Sequence, residues 1–151
     1  MGQKQSGSSP NHHGESSVLL CIDDSEIILE ILTSILERSG YSVFGAASGS
    51  QALEILVDHA VDLVILDWEM PEMNGRETAS EIRRMKPAMP IIINSGLPEI
   101  PEDAFEVADA FVSKGAEHDT LLAAITELIA GRQREDSSER KSGLQHARQS
   151  D

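Results

Sequence analysis

The 151-residue sequence holds one cysteine, one tryptophan, one tyrosine and three phenylalanines. A single Cys21, set inside the apolar run "SVLLCI", excludes a disulfide framework. Its expected role is that of a small buried packing group. Long hydrophobic runs are also missing, and none approaches the roughly 18 apolar residues of a membrane span. The polar opening "MGQKQSGSSPNHHGESS" carries no basic-then-apolar signal segment, so the expected location is the cytoplasm. Basic residues are scarce as well. The formal net charge is −14, and it is concentrated: between Ser17 and Gly131, 21 acidic residues face 6 basic ones, leaving −15. A surface of that sign repels nucleic-acid backbones and anionic lipid, and it favours cations.

What is present divides into two tails and one domain. Residues 1–16 are rich in Ser, Gly, Asn and His, and residues 132–151 are polar with mixed charge. Neither segment has enough apolar surface to offset its ordering entropy, so both are expected to be flexible. His12 and His13 are expected to be solvated. The domain is expected over residues 17–131, a length that supports one hydrophobic core, with no internal repeat and no output module in this chain.

Inside the domain, strand and helix patterns alternate. Apolar runs at 17–22, 41–47, 61–66, 90–94 and 110–113 read as strands. Between them, "SEIILEILTSILERSG" has apolar residues at 27, 28, 31, 32, 35 and 36, a helical period closed by Gly40. Further helices are expected at 49–60, with Ser48 or Ser50 as cap, at 75–86 before Pro87, briefly near Pro101, and at 117–131. Strict alternation implies a parallel α/β sheet covered on both faces. The unbroken apolar runs of strands one, three and four fit central strands buried on both sides.

In such sheets the reactive groups gather beyond the C-terminal strand ends. Asp23 and Asp24 follow strand one, Asp67 follows strand three, Asn94-Ser95-Gly96 follow strand four and Lys114 follows strand five. Taken singly, an acidic pair is usually a solvated loop and a strand-end lysine a surface residue. Converging on one edge, crowded carboxylates call for a cation. Hard oxygen ligands suit Mg²⁺. An aspartate there can serve as nucleophile and form an acyl phosphate, while metal and lysine neutralise the transferring oxygens.

The stretches "CIDDSE", "ILDWEMPEMNG", "IIINSG" and "FVSKG" resemble the signatures of the response-regulator receiver domain of two-component signalling, over Ser17 to about Gly131. The resemblance extends to chemotaxis-type single-domain regulators. It implies a flavodoxin-like (βα)5 sandwich with strand order 2-1-3-4-5. It makes Asp67 the phosphoacceptor, and Asp24 and Asp67 direct Mg²⁺ ligands. Asp23 would act through water and Glu69 would contribute its backbone carbonyl. Lys114 would pair with the phosphoryl oxygens, Ser95 would be the switch hydroxyl and Phe111 the switch aromatic. Glu69 and Leu97 match the two positions that gate the hydrolytic water. The implied partners are a sensor histidine kinase or histidine phosphotransfer protein, and a downstream protein on the face of helix four, strand five and helix five. The implied activity is that of a signalling acceptor with self-catalysed phosphorylation and slow autodephosphorylation, not an enzyme. A receiver-like binding module that is never phosphorylated, and a Mg²⁺-dependent aspartyl-phosphate phosphatase, are the alternatives. Three departures stand out: Gly115 where proline in a cis peptide is common, a segment from Ser95 to Lys114 about three residues short, and Gly96 where alanine is usual. They point to a different backbone path to Lys114 and to a short or irregular fourth helix.

Overall fold

The computed structural model describes residues 16–149. The expected N-terminal tail, with His12 and His13, lies outside the described residues except for Ser16. β1 (Val18–Ile22) is the first apolar run, and α1 (Glu26–Arg38) starts where the Ser25 side chain accepts from the Ile28 amide. β2 (Ser42–Ala46) and α2 (Gly49–Asp58) follow, and the Ser48 hydroxyl caps α2 by accepting from Gln51. β3 (Leu63–Leu66) leads into α3 (Gly75–Met85). There Asn74 and Glu77 form a reciprocal capping box, which satisfies two amides that a helix start otherwise leaves without partners. β4 (Ile91–Ser95), α4 (Ala104–Val107), β5 (Ala110–Ser113) and α5 (His118–Gln149) complete the chain.

All strand pairs are parallel, and the sheet order is β2-β1-β3-β4-β5, a flavodoxin-like arrangement. The central strands are buried on both faces, as their unbroken apolar runs require. On one face Leu20, Ile22, Val64, Leu66, Ile91 and Ile93 pack with Ala52 and Leu56 of α2, Ala79 and Ile82 of α3, and Val107 of α4. On the other, Leu19, Cys21, Leu63, Ile65, Ile92 and Val112 meet Leu36 of α1 and Leu121 and Ile125 of α5. Cys21 is buried, and desolvation, helped by the charge of Asp23, pushes its thiol up to about 12. It is an inert packing group.

Two boundaries differ from the sequence reading. The last helix does not stop at Gly131 but runs to Gln149, so most of the segment expected to be a flexible tail is helical. A helical glycine costs only about 1 kcal/mol relative to alanine, and Arg132, Gln133, Arg134 and Glu135 are good helix formers. Arg132 also donates from Nη1 to the Asp62 carbonyl at 2.9 Å, tying the continuation to the β3 end of the sheet. The fourth helix is a single turn, entered through three-residue bonds such as Ala104 N–H to the Pro101 carbonyl. Among the described residues no helix is long and apolar enough to cross a membrane.

Candidate functional site

The C-terminal strand ends are fixed before any side chain is considered. The Asp67 amide donates to the Ile22 carbonyl at 2.9 Å and the Asp23 amide to the Ala46 carbonyl at 3.0 Å. The Lys114 amide donates to the Ser95 carbonyl at 2.9 Å. These lateral bonds join β3 to β1, β1 to β2 and β5 to β4, and with the β3–β4 pairing they set the terminal residues side by side. Asp23 and Asp67 are buried, Asp24 is exposed, and all three offer an oxygen within 4.8 Å of the others.

Lys114 closes the cluster. Its Nζ lies 2.8 Å from Asp23 Oδ2 and 3.3 Å from Asp67 Oδ1. The backbone that delivers it contains no cis peptide; instead Gly115 N–H donates to Ser113 Oγ at 3.1 Å. That local turn is the different route expected from the missing proline, and it brings the ammonium to the carboxylates. Asp23 Oδ1 also accepts from the Ser25 amide at 2.9 Å, which orients the carboxylate and shapes the entry to α1.

Burial, then the charge of Asp23, raises the Asp67 carboxyl to about 6, although Lys114 and the Glu69 amide pull the other way. Burial works against the Lys114 ammonium too, but its hydrogen bond to Asp23 and the charges of Asp67 and Asp23 prevail, and its pKa is raised. The cluster is therefore short of positive charge.

The loop after β3 is held by contact. A Cβ on Gly75 would fall 2.5 Å from Trp68 Cα and 2.6 Å from the Asp67 carbonyl oxygen, so only glycine lets α3 start this close to the acid. Glu72 has φ of 63°, a left-handed turn that a non-glycine residue adopts at a cost.

Ser95 is the last residue of β4 rather than the first beyond it, and is buried. Its Oγ accepts from the Leu97 amide at 3.1 Å, so the hydroxyl is engaged in its own loop. Phe111 is half-buried against the α2–α3–α4 side of the core. Glu69 and Leu97 line one open groove with Trp68 and Arg76. Arg76 is a residue the sequence reading missed. It contacts Asp103 at 3.2 Å and Glu106 at 3.2 Å, and donates to the Asp103 carbonyl at 3.1 Å, joining α3 to α4. Its only sequence signal was being one of six basic residues among 21 acids between positions 17 and 131.

Comparison with known proteins decides the family. A model of the response regulator receiver domain matches residues 19–126. The chain belongs to the response regulator receiver domain family. Among curated relatives of this receiver domain, the transcriptional regulatory protein GlrR of Escherichia coli is 36% identical over 114 residues, covering 74% of this chain and 26% of that protein. The chain thus spans about a quarter of that relative's length. Among solved structures, the response regulator TrrA of Thermotoga maritima, in complex with Mg²⁺ and BeF, is 34% identical with a TM-score of 0.71, over 74% of this chain and 98% of that one. A CheY-like receiver domain protein from Methanospirillum hungatei is 27% identical with a TM-score of 0.75, over 80% of this chain and 99% of that one. This receiver domain is a signalling domain of two-component systems.

The raised Asp67 carboxyl has a consequence for stability. Its folded pKa lies above the usual 3.8, so the folded state binds more protons than the unfolded one between about pH 4 and 6. Stability therefore falls as pH rises through that window and stays lower above it. In metal-free buffer Asp67→Asn is expected to stabilise the fold by about 1–3 kcal/mol near pH 7, with the gain vanishing below about pH 4. Urea melts of both proteins at several pH values measure it. A variant less stable than wild type at neutral pH contradicts the charge assignment.

Proposed function

We propose that the chain accepts a phosphoryl group on Asp67 from the phosphohistidine of a sensor histidine kinase or phosphotransfer protein. The observation that carries this reading is the buried Asp67 carboxylate at the end of β3, with Asp23, Asp24 and the Lys114 ammonium grouped around it. An Asp67 carboxylate oxygen attacks phosphorus while the phosphorus–nitrogen bond of the donor breaks. The leaving imidazole keeps the electron pair and takes up a proton. The product is an acyl phosphate, returned to carboxylate and inorganic phosphate when water attacks phosphorus.

The residues fit a divalent cation. Three carboxylates share one edge, all donors are hard oxygens, and exposed Asp24 leaves a side open to water. Asp23, Asp24 and Asp67, with the Glu69 carbonyl, would hold Mg²⁺. When bound, the ion supplies positive charge for the phosphoryl oxygens. The relative crystallised with Mg²⁺ and BeF supports the same use here. Lys114 supplies a second positive charge, already poised at Asp67. With acetyl phosphate and Mg²⁺, the protein is expected to gain one phosphoryl group by intact mass, and Asp67→Asn none. Asp24→Ala should lower the rate at least tenfold and remove its metal dependence. A phosphoryl group mapped to another residue of the wild type sinks the assignment.

Ser95 and Phe111 would carry the state outward. The Ser95 hydroxyl would exchange the Leu97 amide for a phosphoryl oxygen, and Phe111 would follow it inward. The reading places the downstream partner on the α4–β5–α5 face, where Phe105 of α4 is 67% exposed. Hydrogen exchange with and without beryllofluoride should differ most within residues 95–112. Equal protection in both states refutes a switch there.

Leu97 and Glu69, on the groove beside Asp67, would set the lifetime of the acyl phosphate. Leu97 offers no hydrogen bond to orient an attacking water and covers its approach. Replacing Leu97 with Asn is expected to speed dephosphorylation several-fold under saturating Mg²⁺, followed by phosphate release. Decay at the wild-type rate would show that Leu97 does not guard the path.

A further inference from the structure

Between α1 and the start of α5 lies a cavity of about 200 Å³, separate from the groove beside Asp67. Its walls are mostly apolar, formed chiefly by Ile28, Leu32, Val112, Ala116 and Leu121. Five lining residues are polar or charged, Asn94, Ser113, Lys114, Glu117 and His118, and of these only Asn94 is buried. Asn94 sits in β4 at the same parity as Ile92, which faces the α1–α5 side of the core. Asn94 is 6% exposed and borders the cavity, and among the described residues its carboxamide has no hydrogen-bond partner. Its backbone takes part in the β4–β5 register, opposite Val112.

A buried amide without a partner is normally satisfied by something in the space it faces. We infer that this cavity is a binding site for a small neutral amphipathic molecule, with an apolar body between α1 and α5 and an amide or similar donor–acceptor head on the Asn94 carboxamide. Size fits, since an engineered apolar cavity of about 150 Å³ takes a benzene ring. The polarity also fits: an amide head can donate to the Asn94 oxygen and accept from its nitrogen. Charge argues for a neutral ligand. The Lys114 ammonium at the edge of the cavity is engaged by Asp23 and Asp67, and Glu117 at the same edge repels anions. This site does not depend on phosphorylation and is not the cation site.

The test uses the full isotope-labelled chain without Mg²⁺ or phosphodonor, so its outcome is separable from that of phosphotransfer. Benzamide and toluene are titrated to about 20 mM and followed by nuclear magnetic resonance, which reaches the weak affinities expected of ligands this small. Benzamide is expected to shift the Asn94 side-chain amide and the signals of Ala116 and Leu121 saturably, with a dissociation constant of order 1 mM. Asn94→Leu should weaken benzamide at least tenfold while toluene still binds. Ala116→Leu, which fills the space without touching the amide, should weaken both. Absence of a saturable shift would mean that water alone occupies the cavity, and equal benzamide affinity in Asn94→Leu would mean that the amide is not read. Either result overturns the inference.

Discussion

The ion triad of Lys114 with Asp23 and Asp67 is the constraint on which the rest of the structure turns. Two buried carboxylates at the ends of neighbouring strands repel each other, by about 4 kcal/mol for unit charges 4 Å apart at an effective dielectric of 20. They cannot move apart, because the backbone bonds from Asp67 to Ile22 and from Asp23 to Ala46 hold both strands in register. Relief has to come from positive charge, and the ammonium of Lys114, 2.8 and 3.3 Å away, supplies part of it. One lysine against Asp23, Asp24 and Asp67 leaves the cluster net negative, and burial, then the charge of Asp23, raises the Asp67 carboxyl. The acidic excess at this edge is thus built into the sheet, and among the described residues only Lys114 pairs with it.

The opposite edge of the same sheet shows what such acids look like when they serve the fold. Asp62 accepts from the Val18 amide at 2.7 Å. Asp109 accepts from the Ile91 amide at 2.9 Å and pairs with Arg83 at 2.6 Å. Arg83 in turn donates to the Met89 carbonyl at 2.6 Å. These carboxylates have backbone amides and a guanidinium to complete them, and they lock strands together. Asp23 and Asp67 also accept backbone amides, from Ser25 and Glu69, but two buried acids share one ammonium and retain capacity for a further positive partner. The residue type is the same; what differs is that Asp62 and Asp109 precede their strands while Asp23 and Asp67 follow theirs, and what surrounds each acid.

That contrast also explains what could be read from the sequence. The five strands and the positions of Asp23, Asp24, Asp67, Ser95 and Lys114 at one edge were legible, because apolar runs mark parallel strands and parallel topology puts their C-terminal ends together. Family membership, expected from the motifs around these residues, is borne out by the match over residues 19–126. The structural roles of Asp62 and Asp109 were not legible, for they depend on partners 44 and 18 residues away. Nor was Asn94, whose polarity reads as a strand-end loop until the register turns it toward the α1–α5 face. Gly131 misled for a local reason. A single glycine is a weak stop when the following residues favour helix and Arg132 finds the Asp62 carbonyl.

The short α4 shows how such a cluster can be coupled to a surface. A four-residue helix has almost no internal hydrogen bonding to hold it, and its register comes instead from its neighbours. Ala104 and Val107 bury against the core, while Arg76 of α3 grips the Asp103 carbonyl and the side chains of Asp103 and Glu106. Arg76 is about 40% exposed, so these ion pairs contribute only about 0.2–1 kcal/mol each. At the other end of the segment, the Ser95 hydroxyl donates nothing to the core and accepts one amide of its own loop. The restraints on residues 96–107 are therefore few and individually weak. A new charge-assisted bond at Ser95, worth about 1.5–3 kcal/mol, matches them in size. A longer, better-packed helix would resist a change of that magnitude. The single turn of α4 thus owes its position to contacts with its neighbours rather than to its own hydrogen bonds.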